Sequence, residues 1–537
     1  MQTRREREHF FGAAKVVAGM TMTSRILGLV RDMLIVPIGG AQLADVFWTA
    51  FSVPNLFRRL FGEGALSAAF VPVFTGVVEK GGWDRARAVL ANVSGILALV
   101  LAGLVVAGEI GLWVGGALWP GDWARTRLLQ FIAVMLPFMF TVCLLALGSA
   151  ALNCKGHFAY PAAAPILLNI GLIATAWWIG PAVSKVADTQ LLVIAAGLVV
   201  TGIVQLVGVV WLLKRSGLAV IPRLRPVLGE TRAMAAHMLP MLVPLSILQL
   251  GAFADRLIAL IFTTVPQSPP LAAGVVRCVH VANRLYQLPL GVMAISIATV
   301  VFPLFSRYAA RNDIARLRDT TNRALRLCIF LGLPAAAGLI ILAQPLVTVI
   351  FERGGFSAQS DTPRAALILQ MYCLGMVAYF CNHILLRAFF CRGETTAPLR
   401  IACILAVVNV LLVIGGIFTP LKGGAIGLAT AVTATANTAA LTIVLRRRLK
   451  RIGFARILAS LGRIAAAAGA MAVAVWAVVY FCPAVTGGMS RKWAAGAVTA
   501  AGVIVGAGVY LLAAIVCRCP EMGELLGALR KKPPIEQ

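Results

Sequence analysis

Charge is what this sequence has least of. Asp, Glu, Lys and Arg make up 13% of its 537 residues, against about 25% in soluble proteins. Acids are scarcest, 20 against 48 cations. Histidine is almost missing: His9, His157, His237, His280 and His383 are the five, and they are dispersed. No Asp-x-Asp, Ser-His-Asp set or metal-ligand spacing appears. A polytopic lipid-linked glycosyltransferase or acyltransferase would need acids or histidines at the membrane face, so the chain is not read as an enzyme. There is no Walker A stretch, so ATP is not the direct drive. The start, "MQTRREREHF", leads into a helix with no small-residue cleavage site, and reads as a retained cytoplasmic segment. The eleven cysteines lie mostly inside apolar runs, where they act as small hydrophobes. Cys517 and Cys519 form the one close pair, with no histidine beside it to make a metal site.

What is there is apolar: 60% of the chain is hydrophobic and the mean hydropathy is +0.90. An integral membrane protein is the class that fits. The net charge of +28 does not point to nucleic acid, because the cations sit in short loops between apolar runs. With about 20 apolar residues per spanning helix, the sequence holds fourteen candidates: 10–38, 42–78, 88–116, 128–153, 158–180, 189–213, 234–262, 273–306, 327–351, 365–391, 396–418, 423–445, 464–483 and 493–517. The second and eighth are long enough to be tilted or broken. With the N-terminus inside, and Arg387 and Arg400 counted with the short loop between spans 10 and 11, inside segments carry 32 cations and outside loops 8. That asymmetry places both termini in the cytoplasm. "RRRLKR" (446–451) and "RKK" (530–532) are then cytoplasmic flanks able to meet anionic lipid.

The second span closes with "SAAFVPVF" and the eighth with "SIATVVFPLF", each after an Asn-containing cationic stretch, "NLFRR" or "NRLYQ". Copies six spans apart share orientation, so their axis runs along the membrane normal. The expected fold is an all-α polytopic membrane protein. It has two pseudo-symmetric six-helix lobes, residues 1–213 and 214–445, then a linker, two C-terminal helices and a tail over 446–537. Two lobes across a central cavity is a transporter plan.

Eight cations nevertheless fall inside spans: Lys15, Arg25, Arg31, Arg58, Arg59, Arg256, Arg277 and Arg284. They occupy spans 1, 2, 7 and 8, the first two of each lobe. A charge at mid-bilayer costs at least ~2.5–3.5 kcal/mol on insertion scales. Arg25 and Asp32 are seven apart and share a face of span 1. Arg277, His280 and Arg284 stripe one face of span 8. Arg58 and Arg59 point about 100° apart, and Pro54, Gly62 and Gly64 favour a break around them, tolerable where backbone lines a cavity. The acids in these spans are Asp32, Asp45, Glu63 and Asp255. Lys15 and Arg277 can snorkel to an interface. A surplus of about two to four positive charges then remains in the core, and surplus arginine suits bidentate contact with phosphate. The reading is a cavity for an anionic, phosphorylated substrate.

"MTMTSRILGLVRD" (20–32), "ADVFWTAFSVPNLFRRLFGEGALSAAFVPVF" (44–74), "NRLYQLPLGVMAISIATVVFPLFSR" (283–307) and "FFCRGETTAPL" (389–399) resemble the MurJ (MviN) family of bacterial lipid II flippases. That family sits within the multidrug/oligosaccharidyl-lipid/polysaccharide exporter superfamily. The resemblance implies transfer of lipid II, undecaprenyl diphosphate bearing the peptidoglycan disaccharide-pentapeptide, from the inner to the outer leaflet of the cytoplasmic (inner) membrane by alternating access. The partners implied are lipid II, membrane lipids and other cell-wall synthesis proteins, with no nucleic acid. The family's cavity residues fall on Arg25, Arg31, Asp32, Asp45, Arg58 and Arg284, with Arg59 beside them. Spans 13 and 14 would offer a groove to the polyprenyl tail. Some members carry a sodium (Na+) site, and Asp255, Asn409, Thr430 and the Ile426 carbonyl fall at matching positions. Its second carboxylate is replaced by Val413, and an Asp common before Arg284 is replaced by Asn283. No other cofactor is implied. The alternative readings are a flippase for another lipid-linked oligosaccharide, which shares the diphosphate logic, and a cation-coupled drug exporter, which surplus arginine disfavours.

Overall fold

A chain this apolar must satisfy its backbone inside each segment once water is gone, and the helix does so alone. In the computed structural model every regular element among the described residues is helical. The structure describes the backbone of all residues except 1, 59–65, 119–120, 225, 227–228, 266–267, 450–452, 486–488 and 524–537. Side chains are also left undescribed at 2–18, 66–69, 235, 237–249, 252, 295, 299–300 and 483–485. The chain forms two compact units, Met1–Pro269 and Pro270–Gln537. The seventh expected span belongs to the first unit.

The first unit holds α1 (Gln2–Ile35), α2 (Ala41–Phe57), α3 (Leu66–Leu118), α4 (Trp123–Met135), α5 (Phe138–Cys154), α6 (Ala159–Ala174), α7 (Gly180–Val183), α8 (Ala187–Arg215) and α9 (Gly229–Thr263). α1 packs on α6, α2 on α4, α5 on α8, and α3 on both α5 and α9. α3 is two helices joined across a kink at Gly82, whose φ of 68° is a left-handed value that a side chain would resist. The break separates the end of the second span from the third. α4 begins where the Asp122 carboxylate accepts the Arg125 amide at 3.0 Å, an N-cap. On α2, Phe47 stacks edge-on against Phe131 of α4 at 5.5 Å, fixing that pair of helices.

The segment after α8 is strapped along α3. Lys155 Nζ donates to the Ser216 carbonyl and Arg87 Nε to that of Gly217 at 2.6 Å. Asn92 Nδ2 donates to the carbonyls of Arg223 and Pro226 at 3.2 and 3.0 Å. The Arg223 amide donates to the Ala91 carbonyl at 2.9 Å. Leu218 is fully buried beneath this strap. Arg85 then forks onto Glu230 at the start of α9, at 2.9 and 3.0 Å.

The second unit holds α10 (Val275–Pro289), α11 (Ile295–Ala310), α12 (Ile314–Phe351), α13 (Asp361–Cys373), α14 (Met376–Phe390), α15 (Thr396–Ile417), α16 (Gly424–Leu449), α17 (Phe454–Val485) and α18 (Arg491–Val516). α12 is its hub, meeting α13, α14, α17 and α18; α15 pairs with α16 and α17 with α18. A widened turn at Leu290–Ala294 joins α10 to α11 just after Pro289, where the missing proline N–H opens the hydrogen-bond ladder.

Among the described residues ten helical stretches are long and apolar enough to cross a membrane, and eleven if α13 and α14, bent by 45°, count as one. These match the expected spans 3–6 and 8–14. The shortfall from fourteen falls on spans 1, 2 and 7. Those are α1, α2 and α9, three of the four regions with embedded cations, and α1 and α9 each contain side chains outside the described set.

Candidate functional site

On α1 the structure joins two of the expected residues tightly. Arg31 Nε and Nη2 both donate to Asp32 Oδ1, at 2.9 and 2.6 Å. Asp32 is 0% and Arg31 8% exposed. Arg31 Nη1 donates to Asn169 Oδ1 of α6 at 3.2 Å, and the guanidinium carbon lies 5.6 Å from the Phe51 ring centroid on α2. Neighbours in a helix point about 100° apart, yet the long arginine folds back onto the adjacent carboxylate. This arginine is therefore held by an acid of its own helix. Arg25, half-buried one and a half turns earlier, makes no hydrogen bond or ion pair with any described residue.

α2 carries Asp45, and Arg58 caps its C-terminal end. Asp45 is 1% exposed. Arg58 is half-buried and its Nε donates to Asn55 Oδ1 at 3.2 Å. Phe51, Asn55 and Arg58 stand at i, i+4 and i+7, so Arg58 shares the face that meets Arg31. From the Arg31–Phe51 contact, Arg25 lies roughly 9 Å back along α1 and Arg58 roughly 10 Å on past Phe51, at 1.5 Å per residue. Arg59, Glu63, Gly62 and Gly64, with the break expected there, lie outside the described residues, as does the Lys15 side chain.

In the second unit, Arg284 and His280 are half-buried on α10. Arg277 corrects an expectation. It does not snorkel: it is 0% exposed. Its Nη2 donates to Asp361 Oδ2 at 2.6 Å, and its guanidinium lies 5.2 Å from the Phe356 centroid. Asp361 also accepts the Ser357 amide at 2.8 Å. This acid stands at the first turn of α13, ahead of the apolar run read as span 10, so counting acids inside spans missed it. Only the upper end of the charge surplus falls, from about four to about three, since its lower end already left Arg277 out.

The four expected sodium ligands divide between the units. Asp255, 7% exposed, is on α9 of the first; Asn409, Ile426 and Thr430 are on α15 and α16 of the second. There the Thr430 hydroxyl donates to the Ile426 carbonyl at 3.0 Å, and Asn409 Oδ1 accepts from Thr433 at 3.3 Å. Val413 is fully buried where a second carboxylate would help. The second unit therefore offers this ion neutral oxygens already engaged in hydrogen bonds and no negative charge, a poor fit for a cation. Among the described residues no three His, Cys, Asp or Glu side chains group to hold a metal.

Sequence reasoning passed over Asn169 and Asp361. A lone Asn inside "PILLNIGL" (165–172) is a usable signal, since an amide in a span needs partners; which partners it finds is not written in the sequence.

Comparison with known proteins agrees along almost the whole chain. The family model described as "Lipid II flippase MurJ" matches residues 36–493. A probable lipid II flippase MurJ of Rhizobium meliloti (strain 1021) is 34% identical over 480 residues, 86% of this chain and 85% of that protein. One of Haemophilus influenzae is 30% identical over 528 residues, 92% of this chain and 98% of that protein. Among solved structures, "Lipid II flippase MurJ, inward closed conformation" superposes with a TM-score of 0.75 at 23% identity, covering 94% of this chain and 98% of that one. An inward-facing multidrug resistance MATE transporter of the MOP superfamily gives 0.66 at 16% identity, covering 81% and 98%. The structural matches support the shared fold.

Proposed function

The chain belongs to the lipid II flippase MurJ family, and on that premise we propose that it carries lipid II from the inner to the outer leaflet of the bacterial inner membrane. It is a multi-pass inner-membrane protein whose relatives are transporters. The reading takes fourteen spans in two lobes plus two helices, with both termini cytoplasmic, as the cation asymmetry favours.

The observation that carries the site is Arg25. A guanidinium inside a membrane helix, without a protein counter-ion among the described residues, is costly unless it meets water or an anion. Arg31 is neutralised by Asp32, so among the described side chains of α1 the positive charge left is at Arg25, and Arg58 follows the stretch of α2 that meets Arg31. A diphosphate offers paired oxygens for two guanidinium forks. Arg25 and Arg58 bind it, Asp32 keeps Arg31 in place, and Asp45 is the acid on α2 able to pair with an emptied arginine. Sugar and peptide follow the diphosphate, and the tail stays in lipid, with α17 and α18 offering it a small-residue groove. Opening of the site to one side and then the other delivers the cargo. Membrane potential is the energy source in this account, about 2.3 kcal/mol per charge per 100 mV. No step runs through sodium.

Complementation tests it. The chain is expressed in a bacterium depleted of its own lipid II flippase, beside Arg25→Ala, Arg25→Glu and Arg58→Ala. Wild type restores growth and the membrane-inserted variants do not. A well-inserted wild type that fails moves the cargo to another lipid-linked oligosaccharide. Rescue by Arg25→Glu removes the arginine site.

A further inference from the structure

Asn169 is an amide placed in the middle of the apolar helix α6 and 6% exposed. Such a group is tolerated only with its hydrogen bonds made inside the protein. Here both ends are engaged, and both on α1. Oδ1 accepts from Arg31 Nη1 at 3.2 Å. Nδ2 donates to the Ser24 carbonyl at 2.9 Å and lies 3.4 Å from the Ser24 hydroxyl. The partners fix the amide's orientation. Reversed, it would set its NH2 against a guanidinium and its oxygen against a carbonyl oxygen.

The residues it grips are informative. Ser24 is the residue before Arg25, so the carbonyl held by Asn169 belongs to the peptide unit from which Arg25 projects. Arg31 is the partner of Asp32. One side chain on α6 therefore ties both halves of the α1 cation group, seven residues apart, to a single register. Arg31 has five N–H hydrogens; two point at Asp32 and one at Asn169. Serine could satisfy one end, leucine neither, and aspartate would lose the donor toward Ser24. An amide is needed to accept from a cation and donate to a carbonyl at once.

We propose that Asn169 is a positioning residue for the anion site, holding α1 so that Arg25 is presented to the diphosphate while Arg31 stays on Asp32. This rests on the proposed function above, and touches no substrate atom itself. Its effect on binding passes through Arg31 and the Ser24 carbonyl together, which gives it a signature that plain helix packing lacks.

The test is a double-mutant cycle on the full chain in lipid nanodiscs, with undecaprenyl diphosphate as the probe. Asn169→Ala lowers its affinity on the order of tenfold, as expected for losing a hydrogen bond to a charged group, with the ligand-free melting temperature near wild type. In an Arg31→Lys background, which keeps the charge, loses the fork and leaves the Ser24 contact, Asn169→Ala costs only about threefold more. Wild-type affinity in Asn169→Ala overturns the proposal, as does a full tenfold loss repeated on top of Arg31→Lys. If Arg31→Lys binds nothing, the single variant's loss at unchanged melting temperature decides. If Asn169→Ala does not fold, Asn169→Ser takes its place in the cycle; failure of both to fold makes Asn169 a packing residue and the proposal wrong. A wild type that binds no diphosphate refutes the site reading instead, so the two failures are distinct.

Discussion

Gly95, on the third span, should be the position where adding one methyl group changes sign. Gly→Ala inside a helix ordinarily stabilises by about 1 kcal/mol. At Gly95 a Cβ would stand 2.5 Å from the Arg223 carbonyl oxygen and 2.8 Å from the Arg223 backbone nitrogen and carbon. Backbone cannot rotate away as a side chain can, so the strap must move by about 0.7 Å or more to restore contact distance. Three hydrogen bonds hold it there, at 2.9, 3.0 and 3.2 Å, and such a shift takes them past useful length. At about 0.5–1.5 kcal/mol each, they outweigh the propensity gain, leaving a net loss of roughly 1–3 kcal/mol. Gly103, on the same helix, meets nothing within 4 Å and is the control. Melting temperature in detergent should fall for Gly95→Ala and hold or rise for Gly103→Ala. A cysteine introduced by Leu218→Cys, buried in the intact strap, should become reactive to maleimide in the Gly95→Ala background. Equal melting of both glycine variants with Leu218→Cys still protected would refute the argument.

Asp361→Asn should strongly reduce folded protein, by about 3–5 kcal/mol of stability, because it takes the carboxylate counter-charge from the buried Arg277; the pair Arg277→Met with Asp361→Leu should melt closer to wild type than either single change. Glu230 is held below its ordinary carboxylate value of 4.5 by a hydrogen bond to its own backbone and by Arg85. A depressed pKa gives a stabilising contribution present above the unfolded value and lost as pH falls through the folded one. The melting difference between wild type and Glu230→Gln should therefore be seen above about pH 5 and vanish in stronger acid; it should be small, since the pair is partly exposed. Arg31→Ala should take from the buried Asp32 the guanidinium fork it accepts and cost stability as well as transport, whereas Arg25→Ala should cost transport at unchanged melting temperature. Comparing melting curves with growth rescue for the two variants separates these outcomes.

Most of the helical plan was legible because hydrophobic length is a local property: the runs at 88–116, 189–213 and 493–517 become α3, α8 and α18. The embedded arginines were legible for the same reason, since any cation inside such a run stands out. Their pairings were not. Helical phase tells where a Cα–Cβ bond points, and on that basis Arg31 and Asp32 diverge; the reach of the arginine overrides it. Asp361 escaped because it opens its helix ahead of the apolar run, and only folding brings it to Arg277. Asn169 escaped because the two ends of its amide are answered from 138 and 145 residues away. The compact-unit boundary at Pro269 depends on α9 packing against α3, which no period in the sequence encodes.

The most direct measurement is translocation itself. Purified protein is reconstituted into vesicles containing fluorescent lipid II, a membrane potential is applied, and the fraction of lipid II reached by an impermeant quencher is followed. The account predicts that wild type raises that fraction above empty vesicles and that Arg25→Glu, folded and inserted, does not. A wild type no better than empty vesicles, or an Arg25→Glu variant as active as wild type, would contradict it.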